Sequence, residues 1–263
     1  MRAYLALVSA RFRTLLQYRA AAVAGFGTQL FFGLIFIMVY EGFYRSSSAP
    51  QPMAYPDVVT YVWLGQAFLA MLPWNVDAEV RAMIRSGGVA YELLRPLDLY
   101  NVWYCRALGW RIAPTLLRAV PMFVVAGLFF GLRPPPSVAS ACAWLVGMLG
   151  ALVLGCAITT LMNISLLWTI SGDGLVQLVP VLVLALSGML VPIPLFPTWA
   201  QRILDILPFR GLIDVPFRLY LGHIPPGEAP LLFAQQIGWT AIVVLLGRLL
   251  LARGRRRLVV QGG

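Results

Sequence analysis

Apolar residues gather in six runs, at about 22–43, 58–75, 112–132, 140–168, 175–191 and 231–251, separated by polar or proline-rich stretches. A bilayer core takes roughly 20 apolar residues per helix. The pattern therefore predicts an all-α polytopic membrane protein with six transmembrane helices. The fourth run is long enough to tilt or protrude, and the fifth is short, lying between Gly174 and Pro192. The third holds Pro114, Arg118 and Pro121. Arg118, near the start of that run, is expected to snorkel back to the interface. The first apolar run starts only after about 20 residues and is too long for the core of a signal peptide, so no cleavable leader is expected.

Three stretches between the runs have patterns of their own. Residues 1–19 read as a helix at 100° per residue. Tyr4, Leu5, Leu7, Val8, Phe12, Leu15, Leu16 and Tyr18 fill one half of the wheel, and Arg2, Ser9, Arg13, Thr14 and Gln17 the other. Arg11 and Arg19 break the pattern. A basic amphipathic helix of this kind lies in the membrane plane with its arginines at anionic headgroups. It serves either as a plain anchor or as a lever that also touches a partner. Residues 76–111 form a loop with a short helix over Asp77–Ser86, a break at Gly87-Gly88, and a second short segment from Val89 to Leu94 that ends before Pro96. Its apolar Leu93, Leu94 and Leu97 either fold back onto the membrane face or form a docking knob. Residues 192–230 combine Pro192, Pro194, Pro197, Pro208 and Pro216 with aromatics and short helical spacings. That mixture suggests pieces dipping into the outer leaflet, which is tolerated only where protein covers the backbone.

Composition agrees with a membrane class. Hydrophobic residues make up 60% and charged residues 11%, and the mean hydropathy is +0.82. A soluble fold with so few charges would expose broad apolar patches. The net charge is +10, and every basic residue behind it is arginine. With six spans, fifteen of the twenty arginines fall on the side that holds both termini, Arg106, Arg111, Arg118 and the tail Arg253, Arg255, Arg256 and Arg257 among them. Acids split evenly between the two sides. The positive-inside rule then puts both termini in the cytoplasm, of a bacterial inner membrane.

Candidate chemistry is sparse. Without lysine the chain holds neither a Schiff-base lysine nor a Walker lysine. If ATP drives its work, another polypeptide hydrolyses it. Cys105, Cys142 and Cys156 include no CxxC pair, and His223 is the single histidine, so no metal site is expected. His223 with Glu228 is a weak acid–base pair, leaving a membrane-embedded enzyme as a minor alternative. Ala143, Gly147, Ala151, Gly155, Thr159 and Asn163 recur every four positions and read as helix packing. Gln29, Gln66, Asn163 and Gln177 lie within apolar runs, where they either bond neighbouring helices or mark a path. No acid lies deep in a run, which weighs against a proton- or sodium-coupled carrier. An ATP-independent channel or carrier remains the main alternative.

The whole pattern resembles the membrane subunit of an ABC exporter of the type-2 permease class. Two stretches are most similar to that family: Ser86-Gly87-Gly88-Val89-Ala90-Tyr91-Glu92-Leu93-Leu94-Arg95-Pro96-Leu97, and Pro192-Ile193-Pro194-Leu195-Phe196-Pro197 through Leu207-Pro208-Phe209. The resemblance implies a single permease domain over 1–263, with residues 1–19 as interfacial helix, 76–111 as cytoplasmic coupling loop and 192–230 as external lid. It implies pairing with a second permease subunit, identical or not, and docking of two cytoplasmic ABC ATPases that bind ATP and magnesium, with no cofactor in this chain. The coupling residues would be Arg85, Gly87, Gly88, Glu92, Leu93, Leu94, Arg95 and Pro96. The interfacial helix, through Arg2, Arg11, Phe12 and Arg13, would contact the same ATPase. Spans one, two and five would flank the path of an amphiphilic cargo such as a lipid, glycan, drug or peptide, with membrane lipids as neighbours and no nucleic acid.

Overall fold

A computed structural model describes residues 2–168 and 173–254, which fold into helices with no strand among them. Of the arginines counted in the tail, Arg255, Arg256 and Arg257 lie outside the described residues, as do residues 169–172 between the fourth and fifth apolar runs. In chain order the α-helices are α1 (Arg2–Leu16), α2 (Arg19–Ser46), α3 (Tyr55–Phe68), α4 (Ala78–Arg85), α5 (Val89–Leu93), α6 (Leu99–Phe129), α7 (Val138–Ser165), α8 (Asp173–Leu186), α9 (Thr198–Ile206), α10 (Asp214–Leu221) and α11 (Ala229–Gly254). Four segments are long and apolar enough to cross a bilayer: Ala20–Ser46, Leu99–Phe129, Val138–Ser165 and Pro226–Gly254. The chain is thus a multi-pass membrane protein. The shorter α3 and α8, of 14 residues each, lie among them.

Helix α3 is the axis of the bundle, buried continuously from Val58 to Ala67. A short 3-10 turn, Leu69–Met71, prolongs it, and Pro73 then forces extended backbone, with ψ of Leu72 at 152°. The apolar run to residue 75 is therefore only partly helical. Packed against α3 and α7 is α10, whose Val215, Phe217, Leu219 and Tyr220 are buried. Tyr220 and Phe217 join Trp144, Phe123 and Phe68 in edge-on or tilted ring contacts 5.1–6.5 Å between centroids. The proline-rich segment is thus covered by protein along α10. On α9, by contrast, Trp199, Ile203 and Ile206 are exposed.

The largest departure from the hydropathy reading is α6, which starts at Leu99 rather than near residue 112. Asp98 caps it, its side chain accepting the Asn101 amide at 2.9 Å. At 1.5 Å per residue its 31 residues span about 46 Å, more than a bilayer core of roughly 30 Å. Arg118, expected near the start of its span, instead stands about 28 Å from Leu99 and about 16 Å from Phe129 along the helix. Arg111, counted as a loop charge, is buried: its Nε donates to Met71 O at 3.0 Å, and its guanidinium also bonds Thr159. Both arginines leave the loop-charge count.

Helix α1 departs from expectation in its apolar face. Tyr4, Leu7, Val8, Arg11, Phe12, Leu15 and Leu16 are the half-covered positions, an unbroken i, i+3, i+4 stripe laid against α6. Gly109 permits the close approach, since a Cβ there would meet Arg11 Cβ at 2.9 Å and the Val8 carbonyl at 3.1 Å. Most of the face expected in lipid is therefore spent on protein, while Leu5 remains exposed.

Candidate functional site

Two arrangements stand out, one at the end where α1 and α4 meet α6 and one inside the bundle. The first begins at Asp77. Its carboxylate caps α4 by accepting the Glu79 and Val80 amides at 2.9 and 3.4 Å. It also accepts from Arg106 Nε at 2.9 Å, while its own amide donates to Asn163 Oδ1 at 2.9 Å. Glu79 takes Arg11 and Arg106, both at 2.6 Å. The hydrogen bond from Arg11 is the main reason that the Glu79 carboxyl titrates below its ordinary value. Four elements, α1, α4, α6 and α7, are thus tied at one point. Arg11, which breaks the amphipathic pattern, does so because its partner is an acid on another element.

Beyond this knot the chain turns at Gly87, whose φ of +72° favours glycine, and α5 follows. Val89 is fully buried beside Val80, Leu99 and Trp103, and Leu97 packs on the same cluster. Trp103 Nε1 donates to Glu92 Oε2 at 3.3 Å, and Arg95 lies 3.9 Å from Glu92. With this base fixed, Tyr91, Leu93 and Leu94 project outward at 76, 40 and 82% exposure. Arg85, Arg95 and Pro96 are exposed around them, and Gly87 and Gly88 form the bend. Arg2 and Arg13 of α1 are exposed, whereas Phe12 is half-covered. Leu97 therefore packs back onto the buried cluster, while Leu93 and Leu94 present an apolar platform.

The second arrangement is a cavity of about 510 Å³ walled by α2, the end of α3 with the segment after it, α6, and the end of α8. Its lining is largely apolar: Phe32, Phe36, Leu69, Leu184, Met189 and Leu190. Besides Thr28, whose hydroxyl donates to the Ala24 carbonyl, three polar side chains break the apolar wall. Gln29 is 3% exposed, yet neither amide atom has a partner. Gln66 Oε1 is likewise unpartnered. Arg118 enters from α6, and among the described residues no carboxylate pairs with it and its Nε is unbonded. Gly25 makes room for it: a Cβ there would stand 2.5 Å from the guanidinium carbon. Trp74, Ala70 and Arg118 also line a second cavity of about 250 Å³ with Trp110, Arg111 and Pro114. Pro114 has no amide to give the Trp110 carbonyl.

Of the four polar residues singled out in the sequence, Gln29 and Gln66 meet at the cavity. Asn163 is buried in the knot at Asp77, and Gln177 is exposed on α8, lining neither cavity. Sequence reasoning passed over Arg118 and Trp74 as lining residues. The signal for Arg118 was present, since a charge between two prolines within an apolar run is a functional candidate by default. His223 pairs not with Glu228 but with Asp57, Nε2 to Oδ2 at 2.8 Å. Among the described residues no cluster of three metal-ligating side chains occurs.

The family model described as ABC-2 family transporter protein matches residues 30–262. Searches of curated proteins and of solved structures returned no match.

Proposed function

We propose, because the chain belongs to the ABC-2 transporter family, that it is the permease subunit of an ATP-driven exporter, coupled to ATPases on separate chains. Membership makes it a transport membrane component rather than an enzyme. In this reading α2, α3, α6, α7, α8 and α11 cross the bilayer, with α3 and α8 the short crossings. Both termini, α1 and the α4–α5 platform face the cytoplasm. A second permease subunit completes the path, and two cytoplasmic ATPases with ATP and magnesium dock beneath.

The observation that carries the reading is the platform. Exposed Tyr91, Leu93 and Leu94 rise from a base whose every joint is bonded. A flexible loop would absorb a push from below, whereas a knotted one transmits it to α6 and α7. The cavity walls include α2, α3 and α8, the elements that the family places along the path. That correspondence supports transport of an amphiphile over an ion. The test is co-expression with candidate ABC ATPases and purification through one tag. The wild type is expected to co-purify, and Leu93→Asp with Leu94→Asp to insert normally but lose the ATPase. Failure of every candidate ATPase to bind, in detergent and in nanodiscs, overturns the proposal. Glu92 is a poor position for the test, because its bond to Trp103 makes any charge reversal a folding change.

A further inference from the structure

We infer that the 510 Å³ cavity binds an anionic amphiphile, its headgroup on Arg118 with Gln29 and Gln66 and its apolar body against Phe32, Phe36 and Met189. This rests on the permease reading and names the chemistry that the path accepts.

The argument starts from cost. An ionised group removed from water must be paired, or the fold loses several kcal/mol. Every other described arginine on α6 meets that condition. Arg106 has Asp77 and Glu79, and Arg111 has the Met71 carbonyl and Thr159. Arg118 is the exception, about 16 Å from the nearer helix end, half-buried, with a guanidinium set against Gly25 and no acid beside it. Nor does an identical partner subunit supply one at that depth. In the segments read as crossings, the acids sit at or near the ends: Glu41, Asp57 and Asp173. Arg111 shows that neutral acceptors can satisfy a buried guanidinium, but Arg118 has neither an acid nor an acceptor among the described residues; the missing acceptor therefore comes from a ligand, and an anion meets its charge as well.

Gln29 points independently to the same conclusion. A side chain 3% exposed with donor and acceptor both idle forfeits its hydrogen bonds unless something enters the cavity to meet them. Two amides and a guanidinium around one chamber suit a carboxylate, sulfate or phosphate, with planar N–H donors from arginine. The remaining lining suits an acyl chain or ring system, and the volume lies within the usual range for ligand pockets of about 300–1,000 Å³. A cationic amphiphile of the same shape would meet Arg118 as a like charge.

Three probes of equal length separate these cases: ω-bromoundecanoic acid, ω-bromoundecanol and ω-bromoundecyltrimethylammonium. Bromine quenches nearby indoles, and Trp74 lines the cavity. Titrations use the permease in phosphatidylcholine nanodiscs at about pH 8.5, because a bilayer raises a carboxyl pKa. The acid is expected to bind about ten-fold tighter than the alcohol, and the cation more weakly still. Trp74→Phe should remove most of the saturable quench. Arg118→Gln should bring the acid to parity with the alcohol while leaving the alcohol unchanged, and Arg118→Lys should keep part of the preference.

Equal affinities in the wild type, or an acid preference that survives Arg118→Gln, overturn the inference. If Arg118→Gln does not fold, the wild-type series decides alone. Repeating the titration in phosphatidylglycerol discs identifies the source of the anion: competition marks a bilayer lipid as occupant, and unchanged binding marks a free amphiphile. ATPase co-purification is scored separately. A permease that binds its ATPase but ignores headgroup charge sinks this inference and leaves the coupling proposal standing.

Discussion

Removing the Asp77 carboxylate should loosen the platform before it unfolds the bundle, and the magnitude follows from its bonds. Asp77→Ala deletes an N-cap with two amide acceptances, worth about 1 kcal/mol. It also strips Arg106 of the carboxylate that accepts from both its Nε and its Nη2. An uncompensated buried charge costs about 3–5 kcal/mol, but Arg106 keeps Glu79 at 2.6 Å and is 13% exposed. That loss is better set at about 2 kcal/mol. Together these give about 3 kcal/mol for Asp77→Ala, and about 2 kcal/mol for Asp77→Asn, which preserves the cap. The assay is reversible denaturation in mixed micelles, combined with hydrogen exchange over residues 78–97. A cycle of Asp77→Asn with Arg106→Gln should show a coupling energy of about 1–2 kcal/mol. Exchange in α4 and α5 should rise well before exchange in α3. Additive single effects, or exchange that rises uniformly through the bundle, would refute the idea that this pair holds the platform.

Further outcomes follow from other positions. Asp214 is fully buried, and desolvation raises its pKa from the ordinary 3.8 to about 6, against the pull of Arg218 and Arg210. Its contribution is therefore fully present below pH 3.8 and lost as pH rises through about 6, a swing of about 3 kcal/mol. Asp214→Asn should flatten that slope and be the more stable protein at neutral pH. Comparing the two proteins isolates Asp214 from Glu79, which loses stability in the opposite direction, on acidification; identical pH profiles would be the contrary result. Gly109→Val should push α1 off α6, costing about 1–3 kcal/mol and exposing the Gln17–Tyr18 junction to protease while α6 and α7 stay protected. Fusing reporters to each terminus should place both on the cytoplasmic face, and opposite faces would undo the six-crossing reading.

Much of this architecture was legible because membrane helices announce themselves by uninterrupted apolarity. The runs behind α2, α7 and α11 fall within a few residues of the helices. What hydropathy missed was polar residues whose partners lie far along the chain. Residues 99–111 read as loop because Asn101, Arg106 and Arg111 interrupt the apolar run. They are helical because Arg106 reaches Asp77 and Arg111 reaches Met71 and Thr159. Arg11 read as an error in an amphipathic wheel for the same reason. The cavity was half legible. Gln29 and Gln66 stood out as polar residues in apolar runs, but their shared chamber depends on helix packing, as does Arg118, which the packing sets against Gly25 instead of at the interface.

The segment after α3 connects the two candidate sites. Leu69, Ala70 and Trp74 wall the cavity, and Asp77 anchors the platform, three residues past Trp74. This strap is latched to α6 twice, Met71 O to Arg111 and Asp77 to Arg106. The same helix carries Arg118 into the cavity. A displacement of the platform therefore cannot be taken up by slack in the loop. Either both latches hold and α6 moves with the strap, shifting Arg118 against Gly25, or the Asp77 latch gives and Trp74 moves relative to Arg118. The first route carries indole and guanidinium together against α2, and the second changes the spacing between them. By either route a push from an ATPase would alter the grip on an anionic headgroup. Disabling the latch with Asp77→Asn should weaken the dependence of headgroup binding on nucleotide more than headgroup binding itself. An equal loss of both would mean that the strap supports the cavity without transmitting motion to it.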